Sequence, residues 1–440
     1  MTTTAEIAEG GVAAPAAGSW GSAGDSNTAQ VPFNADGDYT MQVKFQDKAG
    51  NEAEPKEVEL FTVDTTAPEL TFSINDEAFE AGSYTPRAYN GQVVPGITYH
   101  DINYDGSGTQ MSIVGAKNVN SQILSGAPAE DAMGGVYTCE NIAETPENDD
   151  VYTCTGRVVD MAGNESTVDF LFSVNRYGSN YLLTPDTQAL VDNYYTNSAP
   201  NLGVSEINVN TLKFEEITYA LNGDIRTLQP GTDYQVTESG SETSWKQYDY
   251  TIFNSNFDRE GVYDITIYSE DEAGNANSNH TERVKEYSKN ISFVLDQTAP
   301  SITISGVDEG GIYDTDTRSV TVAYGENFAM DNLIITNGEK TETYTAEQLQ
   351  ATGGTLEFVV PASREKQSVK VTAADKAGNI ATIESPRFVL SSSLFVRWVN
   401  NTPVMVGTIS FGVLAVAAVA DYLRKGFLFA LLHKHTGVKH

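Results

Sequence analysis

Asp160-Met161-Ala162-Gly163-Asn164 is the stretch of sequence that decides the fold. The pattern Asp-x-Ala-Gly-Asn occurs four times, and its copies begin at residues 47, 160, 271 and 375. Successive copies are 113, 111 and 104 residues apart. That period is too long for a solenoid and matches one small domain per copy. The sequence therefore predicts a tandem array of similar domains.

Each copy lies between two predicted β-strands. The residues two, four and six positions before the Asp share one face of a strand, because side chains alternate with period two, and we assign that face to the core. A second strand follows and ends in Phe-x-Val or Phe-x-Leu, as at Phe172 and Val174. The motif is then a hairpin turn, in which Asp accepts backbone N–H groups and Gly supplies a positive φ. A calcium or ligand loop is the alternative, but it would need several more oxygen ligands to converge on the motif. The predicted turn residues are Asp47, Gly50, Asn51, Asp160, Gly163, Asn164, Asp271, Gly274, Asn275, Asp375, Gly378 and Asn379.

Short alternating strands and frequent turns between residues 30 and 390 favour an all-β fold of tandem immunoglobulin-like β-sandwich domains, followed by one C-terminal transmembrane α-helix. The predicted segments are a low-complexity, disordered N-terminus (1–28), a partial repeat (29–66), three full domains (67–176, 177–298 and 299–392), a juxtamembrane segment (393–402), a transmembrane helix (403–423) and a basic tail (424–440).

The predicted linkers between domains differ in composition. Two of them read Asp-Thr-Thr-Ala-Pro (64–68) and Asp-Gln-Thr-Ala-Pro (296–300). Such linkers contain Pro and lack Gly, so they resist bending. The linker between the two middle domains, Asn175-Arg176-Tyr177-Gly178, departs from this pattern, and we expect it to flex more.

The N-terminal part of the sequence is short for a complete repeat. The first motif begins at residue 47, whereas a full repeat places about 90 residues before it. Residues 1–20 also lack the basic and apolar regions of a signal peptide. We therefore expect this chain to be the C-terminal part of a longer protein, with a diverged short module as the alternative.

An apolar run near the C-terminus predicts a membrane anchor. Residues 403–420 carry no charge, and 18 residues of helix span about 27 Å, close to the ~30 Å hydrocarbon core. The tail after this run is basic, whereas the rest of the chain is strongly acidic. The positive-inside rule then places the C-terminus in the cytoplasm and the repeats outside. The alternative is a buried core helix.

The net charge of −34 argues against nucleic-acid partners, because phosphate contacts need Lys and Arg. The five histidines show no zinc spacing, and neither a nucleophile elbow nor a phosphate loop is present. We therefore expect a non-enzymatic protein without a catalytic or cofactor-binding residue.

Three features are candidate sites, each with an ordinary structural alternative. Asp101, Asn103 and Asp105 match the opening of a calcium loop, but the twelfth position is Ser112 rather than Glu, so the calcium site is weak and a plain loop is the alternative. Trp245 is either a carbohydrate platform or a packing residue. Cys139 and Cys154 are a candidate disulfide, with two free, buried thiols as the alternative.

The Asp-x-Ala-Gly-Asn hairpins, followed by Phe-x-Val-Asp-Thr-Thr-Ala-Pro, resemble the bacterial immunoglobulin-like repeats of large surface and adhesion proteins. The stretch from Asn148 to Asn164 is similar to repeats in surface proteins of Gram-positive gut anaerobes. The third repeat departs most from this pattern. The resemblance implies a fold and a surface location but no particular ligand.

These observations predict a cell-surface adhesion stalk that presents an N-terminal head away from the membrane. One alternative is a ligand-binding module, for a glycan or a host-surface protein, in the atypical third repeat. The other alternative is an accessory spacer of an anchored enzyme that lies upstream.

Overall fold

The computed structural model describes residues 2–8, 21–23, 26–79, 87–117, 122–125, 133–281 and 283–435. In this part of the chain an N-terminal sheet is followed by three β-sandwich domains and two C-terminal helices. We call these units domain 1 to domain 4.

Domain 1 is a three-stranded antiparallel sheet with the order β1-β4-β5, accompanied by the β2-β3 hairpin. Strand β1 pairs with β4 along its whole length, from Thr2↔Gln46 to Ala8↔Thr40. The prediction that residues 1–28 are disordered is therefore wrong for residues 2–8, where the strand covers an edge of β4 that would otherwise be open, and for the paired strands at 21–23 and 26–28. The strands are β1 (Thr2–Ala8), β2 (Gly21–Ala23), β3 (Ser26–Thr28), β4 (Gly37–Gln46) and β5 (Lys56–Val63).

Domain 2 is a sandwich of two sheets, with the orders β12-β9-β6-β7 and β11-β10-β13-β14-β8. Two turns of 3-10 helix, Gly106–Gly108 and Pro146–Asn148, lie in its loops. The strands are β6 (Glu69–Ile74), β7 (Glu77–Phe79), β8 (Arg87–Tyr89), β9 (Pro95–His100), β10 (Gln110–Gly115), β11 (Gln122–Ser125), β12 (Gly134–Thr138), β13 (Asp150–Val159) and β14 (Glu165–Val174).

Domain 3 pairs a β15-β17-β21-β20 sheet with a β16-β24-β22-β18-β19 sheet, and β23 pairs with β22. It also contains a short helix and a 3-10 turn at Asn254–Asn256. The elements are β15 (Asn180–Leu183), α1 (Pro185–Asn193), β16 (Tyr195–Thr196), β17 (Leu202–Asn208), β18 (Leu212–Leu221), β19 (Asp224–Thr227), β20 (Tyr234–Ser239), β21 (Lys246–Ile252), β22 (Gly261–Asp271), β23 (Ala276–Ser278) and β24 (Ile291–Leu295).

Domain 4 is built from a β25-β27-β30 sheet, a β29-β28-β31-β32 sheet and a short β26-β33 pair. The elements are β25 (Ser301–Ser305), β26 (Ile312–Tyr313), β27 (Thr317–Gly325), β28 (Met330–Asn337), β29 (Lys340–Thr345), α2 (Ala346–Ala351), β30 (Thr355–Pro361), β31 (Lys370–Asp375), β32 (Ile380–Glu384) and β33 (Val389–Leu390). Two helices follow, α3 (Leu394–Asn400) and α4 (Thr402–His435).

The strand before each motif in domains 2 to 4 presents the predicted face to the core. In β13, β22 and β31 the residues at this face are buried, and Val158, Ile267 and Val371 are fully enclosed. Fully burying an aliphatic side chain of this size contributes about 1.5–3 kcal/mol, so the face with period two fixes the register of each hairpin.

A tyrosine eight residues before the motif Asp recurs in domains 1, 2 and 3. The hydroxyls of Tyr39, Tyr152 and Tyr263 each donate to the backbone carbonyl four residues earlier, at 2.8 Å. This is the arrangement of the tyrosine corner of immunoglobulin-like sandwiches, in which a buried ring keeps its polar end satisfied.

The candidate disulfide is not formed, because both cysteines are free and buried. Cys154 lies on the core face of β13, as predicted, and Cys139 follows β12 in the facing sheet. The Sγ atom of Cys139 lies 3.7 Å from the Sδ atom of Met111. Burial raises the pKa of Cys139 to about 11 and also raises the pKa of Cys154, so both thiols stay protonated and unreactive.

In the described residues, one helical segment is long and apolar enough to cross a membrane, Thr402–Lys425 within α4. Its side chains are exposed along this length, with Phe411 75% and Leu414 68% exposed. A core helix would bury such residues, so the exposure favours a span over the buried-helix alternative.

Candidate metal centres at the domain junctions

In domains 2, 3 and 4 the Asn of the motif contacts the linker that precedes its domain. The side-chain amides of Asn164, Asn275 and Asn379 donate to the backbone carbonyls of Asp64, Asn175 and Asp296 at 3.1, 2.9 and 2.8 Å. Each pair is separated by 83 to 100 residues of sequence. The hairpin turn is therefore also the element that docks each domain onto the linker.

An acidic side chain from the preceding domain holds the other side of each linker. In the first junction (64–68), Asp36 accepts from the backbone N–H and hydroxyl of Thr65 and from the hydroxyl of Thr66. The hydroxyl of Thr66 is the main cause that lowers the pKa of Asp36. In the last junction (296–300), Glu260 accepts from the Gln297 N–H and the Thr298 hydroxyl, both at 2.7 Å.

Three carboxylates converge at the first junction. Asp64 of the linker, Asp101 after β9 and Asp160 of the motif each place a carboxylate oxygen within 4.8 Å of the others. Asp101 and Asp160 are buried. Burial raises the pKa of Asp101, and the charges of Asp64 and Asp160 raise it further. Three carboxylates this close repel one another unless one of them is protonated or a cation lies between them.

The last junction repeats this arrangement with Asp296 of the linker, Glu326 directly after β27 and Asp375 of the motif at the end of β31. Asp296 is only 1% exposed. Within the described part of the chain, Oδ2 of Asp296 and Oε2 of Glu326 are buried without a hydrogen-bond partner. Burial raises the pKa of both groups, and like charges raise it further. Buried carboxylate oxygens without donors fit a cation, because a bare buried charge is costly.

The middle junction (175–178) has the same geometry but different chemistry. Asn175 replaces the linker Asp, and Asn208 and Asn210 replace the acid of the loop. The side-chain nitrogen of Asn175 donates to Oδ1 of Asn208 at 2.9 Å, to Oδ1 of Asn210 at 3.2 Å and to Oδ2 of Asp271 at 3.0 Å. An amide group thus bridges the oxygens where the outer junctions gather three carboxylates.

Further direct contacts support the middle junction. Nη1 of Arg283 donates to Oδ1 of Asn275 at 3.1 Å. The guanidinium of Arg176 donates to the carbonyls of Gly91, Ile142 and Ala143. The prediction that this linker flexes more than the others is not supported by its contacts, because polar side chains replace the stiffness that Pro gives elsewhere.

An acid also holds the middle linker from the preceding domain. Oδ2 of Asp149 accepts from the backbone N–H groups of Arg176 and Tyr177, both at 2.7 Å. Burial raises the pKa of Asp149 to about 6, although these two hydrogen bonds oppose the shift.

Trp245 belongs to the middle junction. From the end of β20-β21 in domain 3 it reaches domain 2, where its Nε1 donates to Oδ1 of Asp150 at 2.7 Å. Nζ of Lys117 lies 3.4 Å from the centre of the ring. One face of the ring is covered by this cation, so the packing alternative describes Trp245 better than a carbohydrate platform does.

A bacterial Ig-like domain model matches residues 8–61, 105–175 and 297–392, about half of the 440 residues. The chain belongs to the bacterial Ig-like domain family. The recognition made from the motif is thereby confirmed, and the atypical third repeat falls between the matched ranges of the family.

Among solved structures, this family member is similar to a tetra-tandem repeat in the extending region of a large adhesion protein. The two share 15% identity with a TM-score of 0.35, and the alignment covers 89% of this chain and 92% of that one. No curated protein sequence matches the chain.

The fold of this Ig-like domain keeps two residues of the predicted calcium loop at the first junction and turns the third away from it. Asp101 joins Asp64 and Asp160, while Asn103 donates from Nδ2 to Oδ2 of Asp64 at 2.6 Å. Asp105 instead accepts from the Ser107 N–H and caps the 3-10 turn at Gly106–Gly108. The predicted calcium loop therefore named Asp101 of the first cluster and none of the acids of the last cluster, because each cluster draws on the linker and the motif as well as on one loop.

Proposed function

We propose that this chain is a non-enzymatic, membrane-anchored surface spacer whose Ig-like domains are held in line at their junctions. Divalent cations, Ca²⁺ in particular, hold the first and last junctions, and side-chain amides hold the middle one. The repeats lie outside the cell and the basic C-terminus inside it.

The observation that carries this proposal is the buried Oδ2 of Asp296, which has no hydrogen-bond partner in the described residues and lies in a cluster of three carboxylates. Asp296 belongs to the linker, whereas Glu326 and Asp375 belong to domain 4. A cation bound there ties the linker to the following domain. Carboxylate oxygens are the ligands that Ca²⁺ prefers, and its flexible coordination suits a cluster with mixed Asp and Glu.

Calorimetric titration of the full chain in detergent micelles with CaCl₂ tests the cation sites. We expect two binding events per chain, and Asp296→Asn combined with Glu326→Gln removes one of them. The control is Glu309→Gln, which changes one exposed acid of the same domain. Equal heats in all three proteins, or no binding at all, would contradict the proposal, and stronger binding of Mg²⁺ would assign the sites to that ion.

Negative-stain electron microscopy of the same samples tests the spacer role. We expect an extended rod in Ca²⁺, because each linker is held by the following domain and by the preceding one. Compact particles in Ca²⁺ would overturn a stalk that presents an N-terminal head.

The alternative of a ligand-binding module in the third repeat has less support. Its aromatic candidate, Trp245, is engaged by Asp150 and Lys117 of domain 2. A glycan or host-protein site would have to use another surface of residues 177–298, and glycan-array screening of the full chain would reveal it. The accessory spacer of an upstream enzyme is compatible with the same geometry.

A further inference from the structure

Helix α3 turns its apolar side chains outward. Leu394 is 78% and Phe395 70% exposed, Val399 is also exposed, and Trp398 is partly so. At 100° per residue these four side chains form one continuous stripe about 140° wide. A helix that lies on a protein in water does the reverse, because its apolar stripe faces the core.

The opposite face of α3 holds the base of domain 4. Nη1 of Arg397 pairs with Oδ2 of Asp314 at 2.5 Å, and Arg397 is only 17% exposed. Nδ2 of Asn400 donates to the carbonyl of Arg364 at 3.3 Å. The polar side chains of the helix therefore face protein, and the four side chains of the stripe face outward.

Helix α3 also lies beside the first turns of α4. Nε1 of Trp398 donates to Oγ1 of Thr408 at 2.7 Å. Thr408 is six residues past the start of α4 at Thr402, about 9 Å along the helix axis. The apolar stripe therefore lies level with the first turns of the span.

The length of the apolar segment places those turns at the membrane surface. Thr402–Lys425 has 24 residues, which span about 36 Å, whereas the hydrocarbon core is about 30 Å thick. About four residues of helix are left for the interfacial regions, where Trp and Tyr are preferred, as at the neighbouring Trp398.

We propose that α3 is an interfacial helix whose outward stripe of Leu394, Phe395, Trp398 and Val399 is immersed in the lipid leaflet next to the repeats. Its other face then seats domain 4 directly on the membrane. Lipid covers the stripe, because the stripe is continuous with the membrane span and the side chains of both are exposed. This inference rests on the proposed membrane anchor.

Depth-dependent fluorescence quenching of the full chain in phosphatidylcholine–phosphatidylglycerol vesicles tests the inference. The reporter protein carries Trp20→Phe, Trp245→Phe, Trp398→Phe and Phe395→Trp, so that residue 395 is the sole tryptophan. A companion with Trp20→Phe and Trp245→Phe keeps Trp398 as the native reporter. The matched control carries Trp20→Phe, Trp245→Phe and Trp398→Phe with Ile380→Trp as its sole tryptophan. Ile380 is 65% exposed and adjoins Asn379 at the junction end of domain 4.

We expect bromines near the lipid glycerol to quench residue 395 at least about two-fold more than bromines at the chain ends, because an interfacial helix lies about 5–10 Å deep. The tryptophan at 380 stays unquenched. A water-exposed, unquenched tryptophan at residue 395 overturns the inference and leaves the membrane anchor standing. Quenching that disappears as the protein density in the vesicles rises also overturns it, because a second copy of the chain then covers the stripe. Release of the protein by alkaline carbonate overturns the anchor itself.

Discussion

The first and last junctions differ from the middle junction in one kind of atom. In the outer junctions, carboxylate oxygens meet carboxylate oxygens, as at Asp296 and Glu326. In the middle junction, the nitrogen of Asn175 lies among three oxygens and donates to all of them. The same backbone arrangement is thus compatible with a junction that needs a cation and with one that supplies its own hydrogen-bond donors. The change from acid to amide decides whether the stability of a junction depends on the cation concentration.

Chelation is the strongest way to separate the two kinds of junction. We expect removal of Ca²⁺ with EGTA to accelerate amide hydrogen exchange in residues 64–67 and 296–299 by up to about 100-fold, as expected for loss of a ligand held at 100 times its dissociation constant. Residues 175–178 should exchange at an unchanged rate. Exchange measured by mass spectrometry on the full chain checks this. Uniform acceleration in all three linkers would remove the distinction.

Asn175→Asp converts the middle junction towards the outer type. The new carboxylate loses the three donated hydrogen bonds and lies next to Asp271, so in EGTA we expect a loss of about 2–3 kcal/mol in the free energy of unfolding of this region. Added Ca²⁺ should restore part of the loss, whereas the wild-type region does not respond. Urea unfolding followed by hydrogen exchange measures both effects.

The control for this variant is Asn254→Asp, which makes the same change at an exposed position of domain 3. We expect an effect near zero there. A variant at Asn175 that matches this control would show that the amide contacts contribute little.

The stability of the middle junction and that of the outer junctions should change with pH in opposite directions. The pKa of Asp149 is about 6 in the folded chain and near 3.8 when unfolded. Its neutral form is therefore favoured by folding, so stability from this group is present below pH 4 and is lost as the pH rises through 6. We expect a change on the order of 2 kcal/mol at the middle junction. Asp149→Asn should abolish it in thermal melts recorded from pH 4 to 7.5.

The outer junctions should change in the opposite direction in Ca²⁺. Their clustered acids, such as Asp101 and Glu326, have raised pKa values in the ion-free chain, so protons compete with the cation as the pH falls. Calcium affinity measured by calorimetry is expected to decrease at acidic pH. An affinity independent of pH between 4 and 7 would contradict carboxylate ligation.

Trp245→Phe gives the smallest expected effect. The variant loses the donor to Asp150 but keeps a ring for Lys117, so the expected cost to the middle junction is about 1 kcal/mol. Trp398→Phe, far from this junction, is the control. Hydrogen exchange of residues 175–178 distinguishes the two variants, and equal exchange in both would assign Trp245 no role at the junction.

The sequence predicted the hairpins and their buried faces well, because both depend on neighbouring residues. Cys154 and Val158 lie in the core as period two requires. It could not predict which acids meet, since Asp64 and Asp160 are 96 residues apart and only the fold brings them together. One feature of the sequence pointed to the second role of the motif Asn, which is to contact the linker. A turn needs Asp and Gly, so the repeated Asn after them required a further explanation.

One small feature of the sandwiches bears on how the chain carries a load. Each of domains 2 to 4 contains a short parallel pair between an early strand and its last strand, as at Ser173↔Ala88, Tyr195↔Val294 and Ile312↔Val389. In a parallel pair, tension that enters from the two ends of a domain pulls the strands past each other. All the hydrogen bonds of the pair are then strained together in shear instead of opening one by one. Such a pair is therefore expected to resist tension along the chain better than a pair whose hydrogen bonds open in turn.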